Sequence, residues 1–147
     1  MRPYLVGEAP SRRTEGHPPL SGSSGRRLSE TLGSPLEESF ELRNLLEHWP
    51  GSGGRGSRFD RPAAVLAAIS LVTTEHPERV VCLGYRAAGA FLLSRTDVEA
   101  LGWRSLTVAG HAFELAVVPH PSGVNRWWNE EGNRLAAAEF LRATAAA

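Results

Sequence analysis

The stretch RVVCLGYRAAGAFLLS, residues 79–94, decides the fold. Its opening, Arg79 to Leu83, is a continuous apolar run of strand length, as expected of a strand buried on both faces. Gly84 marks a tight turn, and residues 85–94 read as a helix. A buried strand turning straight into a helix belongs to the βαβ family of connections, in which helices join parallel strands. Upstream, residues 62–74 are Ala/Leu-rich behind Asp60 and Pro62, a capped helix start. Tyr4 to Gly7 is a short strand that enters a long Gly/Pro/Ser loop, residues 8–24. Residues 25–32 read as a helix stopped by Gly33. Residues 34–49 are ambiguous. Ser34, Pro35 and Glu37 look like a helix start, and Leu36, Phe40, Leu45 and Leu46 share a helical face, so periodicity favours helix over an extended segment at 40–46. Residues 50–58 read as a flexible loop, 106–109 and 113–118 as a hairpin around Gly110-His111, and 119–128 as a loop. Residues 130–144 form a closing helix with Asn129 as its cap. The alternation predicts an α/β fold: three layers, α/β/α, around a short, mostly parallel sheet in a single domain, residues 1–147.

At 147 residues, with 41% hydrophobic and 22% charged, the chain has the size and composition of one globular domain. No run approaches the roughly 20 apolar residues of a membrane span. The first ten residues reach Glu8 and Pro10 before an apolar signal core forms, so a cytoplasmic protein is expected. Cys82 is the single cysteine, which excludes an intrachain disulfide and any site built on several thiolates. All sixteen basic residues are arginine, balanced by sixteen acids. Without lysine there is no Schiff-base lysine and no phosphate-loop lysine. Arg12, Arg13, Arg26 and Arg27 face only Glu15 within residues 11–27, and Arg55, Arg58 and Arg61 form a second basic stretch. Arginine's planar fork suits phosphate.

In parallel α/β folds the site lies at the carboxyl ends of the strands. Two polar loops start there, Gly7-Glu8-Ala9-Pro10 and Pro119-His120-Pro121-Ser122. A carboxylate at Glu8, directly behind an apolar strand, can position water or stabilise a developing cation; Glu15 is the second carboxylate of that loop. His120 is stiffened by a proline on each side, which suits a donor aimed at developing negative charge. Val124 follows in an Arg- and Asn-containing loop and could act as a wedge between bases. Trp127 and Trp128 are read mainly as packing for the last helix. The remaining histidines lack metal-ligand spacing, and no metal site is expected.

Together these pieces resemble the uracil-DNA glycosylase superfamily, nearest its iron–sulfur branch. VGEAP (6–10) is similar to that branch's GEAPG motif, and PLSGSSGRRL (19–28) resembles PFVGxAGxLL. LRNLL (42–46), running on to Trp49-Pro50, resembles the TNVVKCRP strand; LGYRAA (83–88) resembles LGxxAA; and His120-Pro-Ser122 matches HPS. The resemblance implies that Glu8 and Glu15 orient water or stabilise the sugar cation, and that Asn44 reads the base edge. It implies that His120 stabilises charge on the departing base and that Val124 fills the gap the base leaves. Gly7, Ala9 and Leu20 would line the base pocket, and Ser122, Asn125, Arg126, Arg12 and Arg26 would meet DNA. It also moves residues 34–49 from helix towards a strand that ends at Asn44.

The chain departs from the family pattern at informative places. Cys82 alone cannot hold an iron–sulfur cluster, so no cofactor is expected. Leu20 replaces an aromatic, Ser11 a glycine, and the acidic run before PFVG is reduced to Glu15. Base–aromatic stacking contributes roughly 1–3 kcal/mol, so a modified base stands beside uracil as the expected substrate. The resulting expectation is a monomeric, monofunctional DNA glycosylase that flips a base from DNA and leaves an abasic site. The alternatives are a non-catalytic module that binds damaged or modified DNA, and a hydrolase of free nucleosides or nucleotides.

Overall fold

A computed structural model describes residues 1–53, 56–57, 59–92, 98–122 and 125–147. A five-stranded sheet runs in the order β2-β1-β5-β7-β6. Its strands are β1 (Tyr4–Gly7), β2 (Glu41–Asn44), β5 (Arg79–Leu83), β6 (Arg104–Val108) and β7 (His111–Val118). The pairs β2–β1, β1–β5 and β5–β7 are parallel; β6 closes one edge antiparallel to β7. The hairpin turn is Ala109-Gly110, both at positive φ, the geometry that matches the strands' twist. A separate pair, β3 (Ser52–Gly53) and β4 (Gly56–Ser57), lies in the stretch expected to be a flexible loop.

Strand alternation sends successive side chains to opposite faces. Tyr4, Val6, Val80, Cys82, Leu115 and Val117 point to one cluster; Leu5, Val81, Leu83 and Val118 point to the other. The first face is covered by α2 (Arg61–Glu75) and α3 (Tyr85–Ala90), with Ala64, Ala68, Leu71 and Val72 at helical spacing against the sheet. The second is covered by α1 (Ser23–Leu32) and α4 (Glu131–Ala146) through Leu28, Leu32, Ala137 and Leu141. Each fully buried leucine or valine contributes about 1.5–3 kcal/mol of gross burial energy. The three-layer α/β/α architecture is therefore as expected. So is the start of α2, where the Asp60 side chain accepts from the Ala63 N–H at 3.1 Å. Cys82 lies wholly inside the first cluster; burial pushes its thiol pKa up, leaving it an inert packing group.

Three expectations need correction. Residues 34–49 are not the helix that periodicity favoured but contain the strand ending at Asn44 that the resemblance implied: one 3₁₀ turn, Leu36–Glu38, precedes β2. Leu36 and Phe40 are buried four apart, as the helical pattern required, but a single turn suffices, with the Phe40 N–H donating to the Leu36 carbonyl at 2.9 Å. From Glu41 onward the backbone pairs with β1 instead, Tyr4 opposite Glu41 through Gly7 opposite Asn44. The helix expected over residues 85–94 ends at Ala90, because Leu92 adopts φ 69° and breaks the helical run; residues 93–97 lie outside the described residues. Asn129 does not cap the last helix. It ends a 3₁₀ turn, Arg126–Asn129, which Asn125 caps, its Oδ1 accepting from the Trp127 N–H at 3.1 Å, while Glu130 stands at the start of the last helix with no side-chain cap.

Candidate active site

The carboxyl ends of β1, β2, β5 and β7 open into a cleft of about 810 Å³. Glu8 is the first residue beyond β1. Its side chain is only 10% exposed, and Oε1 accepts from an Arg86 guanidinium N–H at 2.6 Å. His120 arrives from the end of β7, two residues beyond Val118.

Gly84 brings the two together. Its φ of 90° and ψ of 161° lie in a region essentially reserved for glycine. A Cβ there would stand 3.3 Å from His120 Cβ, 3.6 Å from His120 Cδ2 and 3.4 Å from Glu8 Oε2. One point beside the β5–α3 turn thus touches both the carboxylate and the imidazole. A side chain at Gly84 would press on both groups, each giving way by a few tenths of an ångström, and would strain the backbone at its φ of 90°.

Asn44 ends β2, opposite Gly7. A Cβ on Gly7 would come within 2.7 Å of Asn44 Oδ1 and 3.3 Å of Leu20 Cδ2. Gly7, Asn44 and Leu20 therefore meet on one wall, with Ala9 also lining the cleft. Leu20 holds a left-handed backbone, φ 61°, and a Cβ on Gly25 would overlap its carbonyl oxygen at 1.7 Å. The long loop after β1 is thereby pinned between Gly7 and the first helix. A non-glycine residue in this conformation costs about 1–2 kcal/mol, strain typical of functional loops.

The loop carrying His120 is fastened from behind. The buried indole Nε1–H of Trp128 donates to the Pro119 carbonyl at 3.0 Å and the His120 carbonyl at 3.2 Å. Asn125 Nδ2 donates to the same His120 oxygen at 2.9 Å, and Arg27 donates to the Ser122 carbonyl at 3.4 Å. Burial lowers the imidazole pKa below the ordinary histidine value; Glu8 opposes the shift and Arg86 adds to it. A neutral imidazole in a fixed frame keeps one ring N–H that can donate a hydrogen bond to a leaving group.

Of the residues expected at the site, Gly7, Glu8, Ala9, Leu20, Asn44, His120, Ser122 and Asn125 line the cleft. Asn125 also spends its side chain holding the loop. Glu15 is not brought to the cleft. It is 42% exposed and pairs with His48 Nδ1 at 3.1 Å, and Thr14 takes the place along the wall. Arg12 is exposed and stands over the Trp49 ring at 5.9 Å, beside the cleft that Trp49 lines. Arg26 and Arg126 are exposed on α1 and on the turn before α4, outside the lining. Val124 lies outside the described residues. Trp128 packs in the second core cluster as expected, and Trp127 packs against the same cluster, edge-on to Trp128, while also lining the cleft. Sequence reasoning passed over Tyr85 and Arg86. Their signal was position: they follow the turn at the end of β5, as Glu8 and His120 follow β1 and β7.

Among the described residues no group of three or more His, Cys, Asp or Glu side chains is placed to hold a metal ion, and no helix is long and apolar enough to cross a membrane. The family model described as the uracil DNA glycosylase superfamily matches residues 2–144. The chain belongs to the uracil-DNA glycosylase superfamily. Comparison with curated protein sequences gave no match. Superfamily membership carries a glycosylase-type function on DNA in general terms.

Proposed function

We propose that this superfamily member is a monofunctional DNA glycosylase that removes uracil or a modified base from a nucleotide turned out of DNA. The observation that carries the reading is the meeting of Glu8 and His120 over Gly84, with Asn44 set against Gly7 on the adjoining wall. Breaking the base–sugar bond passes through an oxocarbenium-like state with positive charge on the sugar and negative charge on the base. The Glu8 carboxylate answers the first charge and orients the attacking water. An N–H of the His120 ring answers the second. Water adds its oxygen to the sugar carbon, and the base leaves with the bonding electron pair and takes up one proton. Asn44 offers an amide donor and acceptor to the base edge. With no lysine in the chain, a lysine imine cannot form, so the product is an abasic site in an unbroken strand. The exposed Arg12, Arg26 and Arg126 supply phosphate contacts, Arg12 from beside the cleft over Trp49.

One observation favours a second reading. Leu20 offers the base less stacking surface than an aromatic, as a module that binds altered DNA without turnover could tolerate. Incubation with uracil-containing, mismatched and modified duplexes, followed by mass-spectrometric detection of free bases, separates the readings. The glycosylase releases one base and leaves a strand that breaks only in alkali. Tight, salt-sensitive binding without product supports the binding module, and activity confined to free nucleosides or nucleotides would overturn both.

A further inference from the structure

We propose that Arg86 is a positioning residue of this site, holding one oxygen of the Glu8 carboxylate so that the other is presented to the reacting nucleotide. The proposal rests on the reading that Glu8 acts on the sugar. Three observations lead to it. The two Glu8 oxygens have different surroundings: Oε1 accepts from Arg86 at 2.6 Å, while Oε2 faces Gly84 beside the His120 ring. The pair is sheltered on one side only: the Arg86 side chain is 49% exposed, but Glu8 is 10% exposed, and the bond to Arg86 fixes which way its carboxylate is turned. Arg86 itself is seated, its guanidinium carbon lying 5.1 Å from the centroid of the Phe59 ring while its side chain lines the cleft.

Arg86 also acts on the second group of the site. Among the described residues the charged groups acting on His120 are Glu8 from the end of β1 and Arg86 from α3, with opposite effects on the imidazole. On the loop side Arg27 of α1 reaches the Ser122 carbonyl, and the neutral side chains of Asn125 and Trp128 hold the His120 carbonyl. Tyr85 lines the cleft next to Gly84. Removing Arg86 therefore frees the Glu8 carboxylate to swing and makes the imidazole easier to protonate.

The test compares the parent with Arg86→Gln, Arg86→Lys and Phe59→Leu, each first checked by thermal melting. It measures single-turnover base release against pH and, by NMR, the titration of the His120 ring. Arg86→Gln should lower kcat about 100-fold, the scale of a misplaced catalytic group, with KM changed less than about threefold. Its acid limb and its His120 titration should both move to higher pH. Arg86→Lys, which keeps the charge, should recover at least about tenfold of the loss, and Phe59→Leu should fall between the two. Parental kcat with an unmoved acid limb in Arg86→Gln would overturn the proposal. So would a loss confined to KM, which would assign Arg86 to DNA phosphate. If no duplex yields free base from the parent, the glycosylase reading falls and this proposal with it, whereas base release by the parent and an equal kcat in Arg86→Gln overturns the proposal alone.

Discussion

Gly7→Ala tests the wall of the cleft with a single methyl group. The new Cβ would stand 2.7 Å from Asn44 Oδ1, where ordinary contact begins near 3.4 Å, so the amide must retreat by about 0.7 Å. Hydrogen bonds to a base edge occupy a window about half an ångström wide, and a displacement of this size carries the amide out of it. A good amide–base contact is worth about 1–3 kcal/mol of discrimination, so kcat/KM for the preferred base should fall roughly 5- to 150-fold towards that of its nearest competitor. Stability should barely change. Gly7 is not at positive φ, so alanine adds no backbone strain, and the reduced freedom of the unfolded chain returns about 0.4–1 kcal/mol. The assay is single-turnover release of the preferred and competing bases by the parent, Gly7→Ala, Asn44→Ala and the double variant. Because the methyl acts through the amide, the double variant should be no worse than Asn44→Ala alone. Unchanged base preference in Gly7→Ala, or losses that simply multiply in the double variant, would refute the reasoning.

Other expectations can be checked with the same protein. Trp128→Phe keeps a ring in the second core cluster but removes the indole donor to the Pro119 and His120 carbonyls; urea melting should show a loss of about 1–3 kcal/mol, and kcat should fall with KM nearly unchanged. Because burial and Arg86 hold the His120 pKa below its ordinary value, the acid limb of kcat should lie below about pH 6.5. In that same window the unfolded chain binds the proton more readily, so stability should fall as pH drops from about 6.5 through the lowered folded value, and His120→Gln should flatten this part of the urea-titration profile. Glu75 accepts from Arg43 at 2.6 Å and from Tyr4 at 3.0 Å, and the Arg43 hydrogen bonds hold its carboxyl below the usual range. Its contribution is present above the unfolded glutamate value and lost as pH falls through the lowered folded value. Glu75→Gln should cost at most about 1 kcal/mol, the pair being partly exposed, and leave base release untouched because it lies beside Tyr4 at the far end of β1.

The central layer was legible wherever hydrophobic burial dictated it. The Val80–Leu83 run has neighbours on both faces, α2 carries its own start signal in Asp60 and Pro62, and Ala109-Gly110 supplies the turn of the β6–β7 hairpin. β2 was illegible from periodicity. Glu41, Leu42, Arg43 and Asn44 form an edge strand of intermediate burial, and Leu36 and Phe40 before it imitate a helix while completing a single turn. Only the resemblance placed Asn44 at a strand end. Glu8 and His120 were readable because each follows an apolar strand. Arg86 was not singled out, because a residue in the first turn of a helix looks like solvated surface until the fold brings Glu8 against it. Glu15 shared the first loop with Glu8, but proximity in sequence carried it to the outside, where His48 is its partner.

Single-turnover base release by the parent, Glu8→Gln and His120→Asn, each verified as folded, tests the central claim most directly: that the carboxylate and imidazole meeting over Gly84 perform the chemistry. The account predicts base release by the parent and a loss of at least about 100-fold in each variant. Release at the parental rate by either folded variant would contradict it.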